Sequence, residues 1–170
     1  GVGNLLIRVP ASVGFDDAPT LVLQGHMDMV CEKNADTEHD FATDPIEAWV
    51  DGDLLRARGT TLGADNGIGI AAGLAVADDP DAVHGPLEIL CTVDEERGLT
   101  GAQGLQGDLL RGRILLNLDS EEEGALYVGC SGGGDLVGTF AVERAEPEGE
   151  PVRVVVRGLL GGHSGLDINL

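Results

Sequence analysis

Short apolar runs separated by Gly- and Ala-rich stretches constrain the fold of this chain more than any other feature. The runs are four to nine residues long and rich in Val, Ile and Leu, and Gly or Asp bounds them, which is typical of β-strands. They cover residues 4–9, 20–23, 87–93, 114–118, 125–128, 136–142 and 152–160. The runs at 20–23 and 114–118 are apolar on both faces, as in central strands that helices cover.

Helices are predicted between these runs, at residues 66–77 and 101–110, so the fold class is α/β. For the first helix we expect Asp65 as the N-cap. Its core stripe is predicted at Ile70, Leu74 and Ala77. Its glycines each cost about 1 kcal/mol relative to alanine, which suggests that another element packs very close to it. Residues 48–55 are predicted to form a hairpin that turns at Asp51-Gly52.

A Gly-rich joint at residues 129–134 marks a change of composition, and a charged strand and a Glu/Pro-rich turn follow it. We therefore predict one domain at residues 1–133 and the beginning of a second, α+β domain at residues 134–170. The chain starts without a methionine and ends at Leu170 without a helix stop or loop signal. We expect it to be a fragment.

The charge balance excludes two classes of partner. Ten basic and 30 acidic residues give a formal net charge of −20, which repels nucleic acid and anionic membranes. The three cysteines are an odd number, so we expect reduced thiols without a disulfide framework. With neither a signal peptide nor an apolar run long enough to span a bilayer, the sequence indicates a cytoplasmic protein.

Acidic residues and one histidine follow the ends of the apolar runs. They are His26 and Asp28, Asp65 at the start of the helix, Glu95 and Glu96, and Asp119. Because the carboxyl ends of the strands in an open α/β sheet form one edge where ligands bind, we expect these side chains to converge. Imidazole and carboxylate ligands suit Zn²⁺, with Mn²⁺ or Co²⁺ as substitutes. So many acids carry too much charge for one zinc ion, which favours a site for two cations.

Neighbouring residues past a strand end point in different directions, so Glu95 and Glu96 can take separate roles. One can bind metal while the other acts as the general base on water. Asp28 can reach the second ring nitrogen of His26 and fix its tautomer. Each element also has a simpler interpretation: a solvated acidic turn at 94–96, an N-cap at Asp65, and a turn at Asp119.

Gly161-Gly162-His163-Ser164-Gly165 allows two interpretations. It can be a tight turn that carries an incidental histidine. Alternatively, the flexible backbone lets His163 reach a substrate carbonyl oxygen and stabilise the oxyanion.

Five segments resemble the M20 zinc metallopeptidases, and more closely the aminoacyl-histidine dipeptidase branch, also called cytosol nonspecific or beta-alanyl-histidine dipeptidases. They are GHMDMV at 25–30, RGTTLGADNGIG at 58–69, TVDEERGLTGA at 92–102, LDSEEEG at 118–124 and GGHSG at 161–165. The match runs in order over nearly the whole chain. It implies a mixed-sheet zinc-peptidase catalytic domain followed by the start of a lid or dimerisation domain.

The resemblance also implies a role for each site residue. His26 and Asp119 would bind one metal, Asp65 would bridge, and Glu96 would bind the second metal. Glu95 would be the general base and Asp28 would orient His26. His163 would help to bind the carbonyl of a dipeptide substrate, commonly across a homodimer formed by the lid domain. The family's late histidine ligand and its N-terminal helical segment would lie outside this chain.

Two rival functions stay open at this point. One is another amidohydrolase of the same superfamily, such as an N-acyl amino acid deacylase or a tripeptidase. The other is a non-catalytic metal-binding or dimerisation module. The main hypothesis is a dipeptidase of Xaa-His or broad specificity in which Glu95 deprotonates the attacking water and returns the proton to the leaving amine.

Overall fold

The computed structural model describes residues 1–120, 122–130, 132, 134, 136–144, 146 and 149–159. The chain divides into two compact units, Gly1–Glu123 and Gly124–Leu170. The elements in chain order are β1 Leu5–Val9, β2 Leu21–His26, β3 Ala48–Asp51, β4 Leu54–Ala57, α1 Ala64–Asp78, β5 Leu87–Thr92, α2 Glu95–Gly98, α3 Thr100–Gln103 and β6 Ile114–Asn117. All of them lie in the first unit, and the fold is α/β as predicted.

The first unit is built on a mixed four-stranded sheet with the order β1-β5-β2-β6. β1 runs antiparallel to β5, whereas β5 and β6 both run parallel to β2. His26 is paired with Thr92, and Gln24 with Asn117. The carboxyl ends of β2, β5 and β6 therefore meet at one edge of the sheet, where ligands bind in folds of this kind.

The core lies between the centre of this sheet and α1. All six residues of β5 are buried, as expected for an apolar strand with neighbours on both sides. Gly73 of α1 lies so close to the sheet that a Cβ atom there would be 3.2 Å from Ile89 Cγ2. The glycines thus allow the close packing that the sequence predicted.

The predicted core stripe of α1 is only partly correct. Leu74 is 43% exposed, and the buried residues of the helix are Asn66, Gly69 and Gly73. The helix approaches the sheet with its smallest residues, and of the predicted stripe Ile70 still reaches Gly25 of β2 whereas Leu74 is exposed. The prediction of Asp65 as the N-cap is also wrong: Gly63 is the N-cap, and the Asp65 carboxylate faces His26 instead.

Two other predictions differ from the structure. In the described part of the chain, β6 lies at the sheet edge with all four residues exposed, not in a covered central position. The helix predicted at 101–110 is limited to α3, because Gly104 and Gly107 have low helix propensity. The hairpin is confirmed as β3 paired with β4.

The second unit contains no helix or strand among its described residues, so the strands predicted at 125–128, 136–142 and 152–160 are not observed there. A strand is stable only when neighbouring strands or a packed face support it, and the described side chains of these segments are largely exposed. The domain boundary at 133/134 stays a prediction. Among the described residues, no helix combines the length and apolar character needed to cross a bilayer.

Candidate metal centre

His26 is the centre of the candidate site at the carboxyl edge of the sheet. It ends β2, and only 1% of the residue is exposed. Its Nε2 atom faces three carboxylates, at 2.9 Å from Asp65 Oδ1, 3.6 Å from Asp119 Oδ1 and 4.0 Å from Glu95 Oε2. The structure therefore brings together four residues that the sequence placed in one cluster.

The other ring nitrogen of His26 faces Asp28. Nδ1 lies 2.9 Å from the Asp28 backbone oxygen and 3.5 Å from its Oδ1 atom. A carbonyl oxygen can only accept, so Nδ1 carries the hydrogen of this bond. In the neutral ring Nε2 then carries the lone pair that can bind a cation. Asp28 does lie beside the ring as predicted. Its backbone oxygen, however, is closer to Nδ1 than its carboxylate is.

The Asp28 carboxylate has a further contact that the sequence analysis missed. It accepts hydrogen bonds from the backbone N–H groups of Glu95 at 3.0 Å and Glu96 at 3.1 Å. Burial alone would raise the pKa of Asp28, but these two N–H donors, together with its own backbone N–H and the charge of His26, outweigh burial and hold the pKa below its ordinary value. Asp28 thus joins the end of β2 to the acidic turn that follows β5.

The crowding of negative charge shifts the pKa of two other acids upward. Burial, the hydrogen bond with Asp65 and the charges of Asp65 and Glu95 raise the pKa of Asp119 to about 6. Burial also raises the pKa of Glu96, and the charges of Asp65 and Glu95 raise it further. Carboxylates resist ionisation in such a cluster unless positive charge compensates them.

The same carboxylates raise the pKa of His26. Burial lowers it, but the charge of Asp119 and the hydrogen bonds with Asp65 and the Asp28 carbonyl outweigh that effect. Either a proton on His26 or a bound divalent cation would supply positive charge that compensates these carboxylates.

The donor atoms suit a metal ion. Two sets of three side chains each offer ligand atoms within 4.8 Å of one another, His26 with Asp65 and Asp119, and His26 with Glu95 and Glu96. One imidazole and several carboxylates are the ligand types that zinc and similar transition metals accept. Both sets lie at the edge where the sheet topology predicts a ligand. His163, by contrast, lies outside the described residues.

Comparison with known proteins decides the family. Residues 22–162 match the sequence pattern of peptidase family M20/M25/M40. The chain belongs to this family. The match includes all the residues of both ligand sets.

Two relatives of this M20 chain are dipeptidases. The chain is 54% identical to the cytosol non-specific dipeptidase of Escherichia coli strain K12 over 171 residues, which is 99% of this chain and 35% of that protein. It is also 54% identical to the aminoacylhistidine dipeptidase from Vibrio alginolyticus, whose crystal structure is known. The two structures match with a TM-score of 0.70, and the match covers 72% of this chain and 25% of the other.

A more distant structure is a tripeptidase from Staphylococcus aureus, with 29% identity and a TM-score of 0.56. It matches 70% of this chain and 30% of its own length. The M20 chain therefore spans about a third or less of the length of these relatives.

Proposed function

We propose that the whole protein containing this chain is a metal-dependent dipeptidase of Xaa-His or broad specificity. The observation that carries the proposal is the convergence of Asp65, Asp119 and Glu95 on Nε2 of the buried His26. The two relatives at 54% identity are both dipeptidases, which supports a dipeptide substrate. The relative that is a tripeptidase has only 29% identity, so it gives weaker support to the alternative that the substrate is a tripeptide.

In this proposal the chain binds two divalent cations, Zn²⁺ in the first place, with Mn²⁺ or Co²⁺ as substitutes. His26 and Asp119 hold one cation, Asp65 bridges, and Glu96 holds the other. When bound, such cations supply the positive charge that activates water and polarises a peptide carbonyl. They would also compensate the negative charge that raises the pKa of Asp119 and Glu96.

Glu95 is the general base of the proposed reaction. Its carboxylate takes a proton from the attacking water and gives it to the nitrogen of the leaving amino acid. Asp28 supports this step because it accepts a hydrogen bond from the Glu95 backbone N–H and fixes the main chain there. His163 would donate to the oxygen of the substrate carbonyl.

The proposal extends to assembly and location. A homodimer through a lid domain would bring His163 to the site, and the protein would act in the cytoplasm. The name of the Escherichia coli relative, a cytosol non-specific dipeptidase, supports this location.

Glu95→Gln in the natural full-length polypeptide tests the role of the base. We expect two equivalents of zinc to stay bound and kcat on a Xaa-His dipeptide to fall about 10²–10⁴-fold, the usual contribution of a general base. Glu38→Gln, at an exposed position that belongs to neither ligand set, is the matched control. Wild-type kcat in the Glu95 variant would refute the assignment, and a wild-type protein that binds no metal would refute the proposed site.

A further inference from the structure

The side chain of Asn66 connects two parts of the candidate metal centre. Its Oδ1 atom accepts a hydrogen bond from the His26 backbone N–H at 3.3 Å. Its Nδ2 atom donates to the backbone oxygen of Leu118 at 2.7 Å. Asn66 is only 3% exposed, so each lost hydrogen bond would leave a polar group buried beside it.

We propose that Asn66 is a positioning residue for the metal centre. Its two hydrogen bonds hold the segments that carry His26 and Asp119 at a fixed separation around Asp65. Asp65 precedes Asn66 in the chain, His26 is bonded directly, and Asp119 follows Leu118. The Asn66 amide is thereby linked to all three residues of one ligand set, which are His26, Asp65 and Asp119.

An amide suits this position because it offers a donor and an acceptor on one rigid plane. The His26 N–H needs an acceptor and the Leu118 oxygen needs a donor. A carboxylate of the same shape supplies two acceptors and would face the Leu118 oxygen with a second negative atom. An aliphatic side chain of similar size satisfies neither group.

Two glycines enclose the amide. A Cβ atom on Gly25 would collide with Asn66 Oδ1. A Cβ atom on Gly69 would lie 2.5 Å from Asn66 Oδ1, 2.8 Å from Nδ2 and 2.6 Å from the Leu118 oxygen. The amide is therefore packed on both sides, which restricts its rotation and keeps the two bonded segments in place.

The segment that carries Asp119 follows β6, which in the described part of the chain is an edge strand with exposed side chains. Beyond the end of β6, the Leu118 N–H donates to the Gln24 oxygen at 2.8 Å. The Asn66 bond adds a connection from α1 to the carbonyl oxygen of the same residue. Residues that orient metal ligands through such contacts typically change metal affinity 10–100-fold when they are replaced.

This inference rests on the proposed metal site, and the experiment separates the two. Asn66→Leu and Asn66→Asp are made in the natural full-length polypeptide. Zn²⁺ affinity is measured by competition with a chromophoric chelator, the visible absorption of the Co²⁺ form is recorded, and the melting temperature is measured without metal. Glu88→Gln is the control, because Glu88 is a buried polar residue at the opposite end of β5.

We expect both Asn66 variants to bind Zn²⁺ at least 10-fold more weakly and to show an altered Co²⁺ spectrum. The result for Asn66→Asp is the sharper one, since an added carboxylate alone would strengthen cation binding. Glu88→Gln should melt at a lower temperature but keep the wild-type affinity and spectrum.

Wild-type affinity and spectrum in both folded Asn66 variants would overturn the inference and leave the metal site standing. If neither Asn66 variant folds while Glu88→Gln does, Asn66 has a structural role instead of a positioning one. A wild-type protein that binds no metal would refute the proposed function itself.

Discussion

The carboxylate of Glu88 accepts a hydrogen bond from Arg8, with 3.0 Å between Oε1 and Nε. Its other oxygen accepts from the backbone N–H groups of Arg111 at 2.8 Å and Gly112 at 3.0 Å. One buried acid in β5 thus connects β1 to the segment that leads into β6. It does so at the end of the sheet opposite the candidate metal centre.

The first prediction concerns this acid and pH. Burial would raise the pKa of Glu88, but the N–H groups of Gly112 and Arg111 and the Arg8 guanidinium outweigh burial and lower it below the ordinary value of 4.5. A lowered pKa in the folded state adds stability above the unfolded value, and that stability is lost as pH falls through the folded pKa. Glu88→Gln should therefore cost about 1–3 kcal/mol in the free energy of unfolding at pH 7.

The difference between wild type and Glu88→Gln should shrink as pH falls below 4.5, because the carboxylate of the unfolded wild type takes up a proton there while that of the folded state keeps its charge down to its own lower pKa. Urea unfolding at several pH values measures this difference in the free energy of unfolding. A difference that stays constant from pH 7 to pH 3 would contradict the assignment.

The second prediction compares two glycines of α1. Gly69→Ala should destabilise the protein by about 1–3 kcal/mol, the usual cost of overpacking, since its Cβ atom would lie 2.6 Å from the Leu118 oxygen. Gly67→Ala has open space around the added atom and should instead stabilise by about 0.5–1 kcal/mol. Thermal denaturation of the two variants should give shifts of opposite sign, and equal shifts would refute the close approach of α1.

The third prediction concerns Asp28. Asp28→Asn removes the charge and one of the two acceptor oxygens that the N–H groups of Glu95 and Glu96 use. Zinc affinity should fall about 10–100-fold, as when other groups that orient metal ligands are removed. A competition assay with a chelator measures the change. Asp16→Asn, which removes the same charge from an exposed loop position, should bind zinc like wild type.

The fourth prediction is a substitution with almost no effect. Asp51 and Arg56 form an ion pair across the β3–β4 hairpin at 2.7 Å, but their side chains are 57% and 50% exposed. Water and salt screen such a pair, so Asp51→Asn should change the free energy of unfolding by less than about 1 kcal/mol. Chemical denaturation checks this, and a larger loss would show that the hairpin depends on the pair.

The sequence was sufficient to predict which side chains of the first unit lie close together, for a physical reason. A polar residue directly after an apolar run lies at a strand end, and parallel strands bring their carboxyl ends together. His26 and Asp119 could be grouped on that ground, and the distance of 3.6 Å between Nε2 and Oδ1 agrees with the grouping. The sequence contains this information because the grouping of strand-end residues depends only on residue order and strand direction.

Other features depend on distances that residue order does not contain. The stripe rule places large apolar residues against the core, yet α1 packs through Gly69 and Gly73 while Leu74 is exposed. The two hydrogen bonds of the Asn66 side chain could not be predicted from the sequence either, because its partners are backbone groups of distant residues. Likewise, the largely apolar composition of β6 gave no indication that it lies at the edge of the sheet among the described residues.

His26 is common to both ligand sets of the candidate centre, and every other member of the sets is a carboxylate. Within the described part of the chain, this imidazole is what distinguishes the two sets from the all-oxygen ligand sets that Mg²⁺ and Ca²⁺ prefer. The preference of these two sets for transition metals thus comes from one residue. Replacement of that residue by an oxygen-bearing side chain would change which ions in the cell compete for the site, even if the shape of the pocket stayed the same.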